Sequence, residues 1–120
     1  MKKIIFTENA NAPIGPYSQA ILAGNTLYCS GQTAAGQPDS DVTQQADKIC
    51  NNISAILNAA GMQLNDVVKA TCFLADIADY SKFNEVYGKY FAHNPARSCV
   101  AVKDLPRGAL VEIEVIAVKD

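Results

Sequence analysis

The hydrophobic and polar positions divide the chain into short periodic stretches punctuated by Gly, Pro, Asn and Asp. Lys2–Phe6 reads as a short strand, and Pro13, Gly15 and Pro16 exclude regular structure from the segment that follows. Ser18–Ala23 and Thr26–Ser30 are strand-like runs around Gly24-Asn25, a pair suited to a tight hairpin turn. Gly31–Ser40, with Gly36 and Pro38, reads as loop. Val42, Ala46, Ile49, Ile53, Ile56 or Leu57, and Ala60 then recur at steps of three and four, the stripe of an amphipathic helix. Asp41 and Gln44 have the spacing of a capping box, and Gly61 supplies the stop. Val67–Ala75 is a strand apolar on both faces. Asp79–Phe91 is a second helix, carrying Tyr80, Phe83, Tyr87, Tyr90 and Phe91 on one side and ending before Asn94-Pro95. Arg97–Val102 and Leu110–Val118 are the last strands, with Lys103–Ala109 between them expected as a hairpin loop.

The order β-ββ-α-β-α-ββ predicts an α+β sandwich of two layers, a mixed sheet with both helices on one face. A single domain over residues 1–120 follows, because a chain of 120 residues has room for one core. The sheet face away from the helices is not cleanly polar and still needs cover. Only 18% of the residues are charged, against a usual share of about 25%. Both observations predict a homo-oligomer whose subunits cover that face.

Charge and composition then exclude function classes. The formal net charge is −2 and the lysines are scattered, so the basic stripe of a nucleic-acid binder is missing and nucleic acid is disfavoured as the main ligand. No run approaches the ~18 apolar residues of a membrane span, and the N-terminus lacks a signal-peptide core, so a soluble cytoplasmic protein is expected. Cys29, Cys50, Cys72 and Cys99 form no CxxC pair and His93 is the only histidine. The expectation is therefore no metal site and free thiols, packed at Cys29, Cys50 and Cys72.

Few reactive groups remain. Arg107, in a Pro-Arg-Gly turn, reads as a solvated charge. Arg97 opens a strand of small or apolar residues; it either points into water or forms a fork that grips a carboxylate or phosphate. Glu112 and Glu114 alternate with Val111, Ile113 and Val115, which puts both carboxylates on one strand face. That face is either simply solvated or holds a carboxylate able to orient or deprotonate water. Tyr17 follows a rigid Gly15-Pro16, and Ser30-Gly31-Gln32 ends a strand with a Gly that lets backbone come close to something. A Cys99–His93 nucleophile is disfavoured, since sequence proximity supplies no orienting geometry.

Taken in order, Gly15-Pro16-Tyr17-Ser18-Gln19-Ala20, Ser30-Gly31-Gln32, Phe83-Asn84-Glu85-Val86-Tyr87, Pro95-Ala96-Arg97-Ser98-Cys99-Val100 and Val111-Glu112-Ile113-Glu114 resemble the RidA/YjgF family of reactive intermediate deaminases. The resemblance spans nearly the whole chain. It implies a chorismate-mutase-like fold, a homotrimer with clefts between subunits, and no cofactor. It also implies hydrolysis of 2-imino acids such as 2-iminopropanoate and 2-iminobutanoate to 2-keto acids and ammonia. On that resemblance Arg97 binds the substrate carboxylate, Glu112 positions the attacking water, and Tyr17, Ser30 and Gly31 contribute to the pocket. The backbone of Cys99 hydrogen-bonds substrate, so its thiol need not react.

Two segments depart from the family pattern. Residues 33–42 and 92–95 look shortened, which bears on substrate preference more than on the reaction. Competing functions are a keto-acid-binding regulatory module without turnover, or the ribonuclease, translation-inhibitor or chaperone-like roles described for some relatives.

Overall fold

Helix α1 (Val42–Ala59) begins where the sequence places it, because Asp41 and Gln44 cap it reciprocally. In the computed structural model, which describes residues 1–34 and 40–120, the Asp41 Oδ1 accepts from the Gln44 N–H at 2.9 Å and the Gln44 Oε1 accepts from the Asp41 N–H at 2.9 Å. Val42, Ala46, Ile49, Cys50, Ile53, Ile56 and Leu57 form its buried stripe. Helix α2 (Tyr80–Tyr90) buries Phe83 and Tyr87, and Phe91 just beyond it is fully buried. The rings of Phe83, Tyr87 and Phe91 follow one another, the first pair tilted with centroids 5.6 Å apart and the second stacked at 4.6 Å.

Both helices lie on one face of a sheet that, among the described residues, has six strands. These are β1 (Lys2–Ile5), β2 (Ala20–Ala23), β3 (Thr26–Gln32), β4 (Val67–Leu74), β5 (Ala96–Ala101) and β6 (Val111–Val118), arranged β1-β2-β3-β6-β4-β5. Only β4 and β5 run parallel, joined through α2. Strand alternation sends Ala70, Cys72 and Leu74 of β4 and Val111, Ile113, Val115 and Ala117 of β6 into the core beneath the helices. Burying one such Val, Ile or Leu contributes about 1.5–3 kcal/mol. The opposite face stays partly apolar: Ile4, Tyr28 and Val100 are exposed there. The fold class is the expected one.

Strand ends differ from the expectation where side chains compete with the ladder. β1 stops at Ile5 because the Thr7 N–H donates to the Gln19 side chain at 2.8 Å. β2 starts at Ala20 rather than Ser18, because the carbonyl groups of Ser18 and Gln19 are taken by the hydroxyl and N–H of Ser30, at 2.7 and 2.9 Å. Of the expected 31–40 loop, residues 31 and 32 extend β3, and residues 35–39 lie outside the described residues, as does half of the shortened 33–42 segment.

One connection is corrected. Lys103–Ala109 is not a hairpin loop, since β4 lies between β5 and β6. The chain crosses the end of β4 instead, with the Val102 N–H on the Leu74 carbonyl at 2.9 Å and the Ala75 N–H on the Leu110 carbonyl at 3.0 Å. The cause is burial. β6 has a fully apolar inner face and takes a central position, whereas β5 is mostly exposed and fits an edge.

Asp41→Ala should lower the melting temperature at neutral pH, since it removes the carboxylate that accepts from the Gln44 N–H and the Thr43 hydroxyl. Hydrogen bonds from the Thr43 hydroxyl and the Gln44 N–H hold the Asp41 carboxyl below its ordinary 3.8. Its contribution is therefore present above that value and lost as pH falls through the lower folded one. Melts of the two proteins should differ at pH 7 and converge in acid.

Candidate functional site

The bulge in β3 creates the first half of the site. Cys29 faces Val115 and Gln32 faces Ile113, so β3 spends one residue more than β6 over that interval, and the extra length falls at Ser30-Gly31. Such a bulge bends its strand and re-aims side chains. Here it carries the Gly31 backbone over the Glu112 carboxyl. A Cβ on Gly31 would lie 2.6 Å from the Glu112 Oε2 and 2.9 Å from its Cδ. A side chain at residue 31 would displace the Glu112 carboxylate from this position.

The long loop between β1 and β2 builds the opposite wall. Gln19, almost fully buried, donates its amide to the carbonyls of Thr7 and Asn11 at 3.1 and 2.9 Å while accepting from the Thr7 N–H. Gly15 has φ +149 and packs against the Tyr17 ring, whose hydroxyl accepts from the Ile14 N–H at 3.3 Å. A cavity of about 300 Å³ results, lined by Tyr17, Gln19, Gly31, Pro106, Arg107 and Glu112 among others. An adjoining hollow of about 330 Å³ adds Ser30. Arg107, expected as a solvated charge, is exposed but borders this cavity, in a left-handed conformation with φ +58.

Glu112 and Glu114 share the open face as alternation requires, Glu112 half-buried and Glu114 exposed. Burial, with a smaller push from Glu114, raises the Glu112 carboxyl above its ordinary 4.5. The protonated form of Glu112 is thereby favoured relative to a solvated glutamate.

Arg97 and Cys99 do not join this cluster. Both lie on the helix-facing side of β5, opposite Ala70 and Cys72. Glu112, opposite Phe73, faces the other way. Two strand spacings and three residues separate Arg97 from Glu112, roughly 14 Å between Cα atoms. Arg97 is half-buried and held by α2. Its Nη1 donates to the Asn84 Oδ1 at 2.7 Å and its Nη2 to the Tyr80 hydroxyl at 2.9 Å. The guanidinium carbon also lies 4.8 Å from the Tyr87 ring centroid. Among the described residues no carboxylate pairs with it. An oriented guanidinium without a counter-charge is a ready anion site.

Tyr80, Asn84 and Tyr87 were not singled out by sequence as partners of Arg97. Their signal was available: steps of four and three put them on one helix face, and Asn84 is a polar residue within an aromatic stripe.

The thiols are unreactive by environment. Burial pushes Cys29, Cys50 and Cys72 up to about 12, and Cys99 rises for the same reason, partly offset by Arg97. His93 sits far from Cys99. Its Nε2 hydrogen-bonds the Val67 carbonyl at 2.9 Å, five residues along β4 from the partner of Cys99, about 16 Å away. No Cys–His pair forms. Among the described residues no three His, Cys, Asp or Glu side chains converge as metal ligands.

The α+β sheet thus carries an oriented guanidinium on one face and a cradled carboxylate on the other. Comparison with known proteins then gives the family. Residues 7–119 match the family described as endoribonuclease L-PSP, and the chain belongs to that family, the RidA/YjgF family of the sequence resemblance. It is 50% identical to a RutC family protein of Pyrococcus horikoshii over the full length of both chains. It is 49% identical to a Bos taurus 2-iminobutanoate/2-iminopropanoate deaminase, covering 99% of this chain and 91% of the relative. The crystal structure of Escherichia coli TdcF with bound serine superposes with a TM-score of 0.93 at 40% identity, covering 98% of this chain and 99% of that one.

Because the fold favours a protonated Glu112, the stabilisation from that proton is complete below 4.5 and is lost as pH rises through the raised folded value. Glu112→Gln, which cannot ionise, should melt above the wild type at neutral pH and approach it in acid. Thermal melts from pH 4 to 8 check this.

Proposed function

We propose that this chain is a hydrolytic deaminase of 2-imino acids, acting as a homotrimer with one site in each cleft between protomers. The observation that carries the reading is the split of the candidate residues. Arg97 and Cys99 occupy one sheet face at an open edge, and Tyr17, Ser30, Gly31 and Glu112 occupy the other. Neither half suffices alone, and a neighbour's edge against the open face unites them. Exposed Ile4, Tyr28 and Val100 on that face support such an assembly. The deaminase relatives in cattle and the serine-bound TdcF structure support a small carboxylate-bearing substrate.

The chemistry needs little machinery. Arg97 holds the substrate carboxylate through two parallel N–H bonds, with the Cys99 backbone beside it. Glu112 takes a proton from water as the oxygen bonds to the imine carbon, and the C=N π electrons pass to nitrogen. Glu112 then returns that proton to nitrogen and carries the hydroxyl proton across to nitrogen as well, so that the oxygen lone pair forms the ketone, the C–N bond breaks and ammonia leaves. General acid–base catalysis of this kind contributes about 10²–10⁴ in rate. Tyr17, on its loop, closes the pocket. No metal or cofactor takes part in this reading.

A ribonuclease reading follows the family description alone. A net charge of −2 without a basic stripe argues against a phosphate track.

The test couples a threonine dehydratase to the protein and follows the lifetime of the released imine. Wild type should shorten it; Arg97→Ala should lose about 10²-fold or more of that effect. Equal lifetimes with and without wild-type protein would overturn the enzyme reading. Trimers refolded from equal parts of Arg97→Ala and Glu112→Gln should regain about a quarter of wild-type activity, since some clefts then combine two intact halves. If every site lay within one protomer, the mixture would stay inactive. Calorimetric titration with 2-oxobutanoate separates catalysis from mere binding: Glu112→Gln should bind it while failing to turn over the imine.

A further inference from the structure

Arg97 meets a phenol whose own proton is unassigned. The Arg97 Nη2 donates to the Tyr80 oxygen at 2.9 Å, so that oxygen acts as acceptor. Tyr80 makes no other hydrogen bond among the described residues, and 39% of it is exposed. A phenol donates one proton as well as accepting. Its O–H is therefore available in the space beside the guanidinium, on the first residue of a rigid helix. Asn84, one helical turn on, accepts from the other arm of the fork at 2.7 Å, and the Tyr87 ring supports the plane.

We infer that Tyr80 is a second carboxylate donor of the substrate site, its O–H and the free N–H groups of Arg97 gripping the same anion. The inference rests on the reading of Arg97 as a carboxylate clamp. The guanidinium has five N–H donors; Asn84 and Tyr80 engage one on each arm, and three remain for a ligand. Donation from Arg97 polarises the phenol and strengthens its O–H as a donor, as linked hydrogen bonds do. A carboxylate oxygen at the fork then meets two kinds of donor, one charged and one neutral. Three fixed groups of α2 hold the fork before ligand arrives, which lowers the entropy lost on binding. Specificity for a short 2-substituted carboxylate gains an element that Arg97 alone does not provide.

Tyr80→Phe removes one oxygen and keeps the ring over the guanidinium. Calorimetry with 2-oxobutanoate should show the Kd rising about tenfold, the loss expected for one hydrogen bond to a charged group. In the coupled imine assay KM should rise similarly, with kcat within about twofold, because the bond exists in ground and transition states alike. A purely structural Tyr80 is distinguished by replacing it with trifluorotyrosine, whose phenol ionises near neutrality. Ligand affinity should then fall as pH rises through that ionisation, while Tyr80→Phe gives a flat profile. If Tyr80→Phe binds 2-oxobutanoate as wild type does while Arg97→Ala does not, the inference fails and the clamp stands. A pH-independent trifluorotyrosine variant also overturns it. If Arg97→Ala keeps full affinity, the clamp fails and the Tyr80 inference goes with it.

Discussion

The pleat of the sheet sets the terms for the rest of this molecule. Residues two apart on a strand share a face, and paired residues on neighbouring strands share it too. Arg97 is paired with Ala70, and Glu112 with Phe73, three residues further along β4. An odd step reverses the face, so the guanidinium points under α2 and the carboxylate points away from the helices. No side-chain rotation brings them together through the sheet. The fold instead presents two incomplete surfaces, one along the β5 edge and one at the β3 bulge.

Each surface is built with more care than its solvent exposure demands. The Arg97 guanidinium is fixed by Asn84, Tyr80 and the Tyr87 ring, yet it has no acidic partner among the described residues. A charge half-withdrawn from water and left unneutralised costs stability unless another molecule compensates it. Glu112 carries the opposite strain. The bulge tucks it against Gly31, and burial raises its proton affinity. The cation on one face and the carboxylate on the other carry opposite charges, and neither is neutralised within the chain among the described residues.

Under the proposed function these two surfaces serve one hydrolytic chemistry. Four cysteines and one histidine invite a thiol mechanism, but the thiols lie in apolar surroundings that keep them protonated. His93 serves the backbone of β4. The reactive inventory contracts to the guanidinium, the carboxylate and the phenols.

Much of the architecture was legible without coordinates. The α1 stripe, its capping box and the Gly24-Asn25 turn depend on contacts within a few residues, and such contacts are written in local spacing. The strand alternation of Glu112 and Glu114 held for the same reason. Local spacing was silent about which strands are neighbours. Lys103–Ala109 has the length and composition of a hairpin loop, but the apolar inner face of β6 drew it to the far side of β4, a competition for core area that only the assembled layers decide. The bulge under Gly31, the Tyr80–Arg97–Asn84 contacts and the approach of Arg107 to the cavity likewise join segments distant in sequence. The sequence by itself determined the elements, the faces of the two acidic residues and the family. Tertiary structure alone decided that Arg97 and Glu112 look in opposite directions, because strand order and pairing register are properties of the whole sheet.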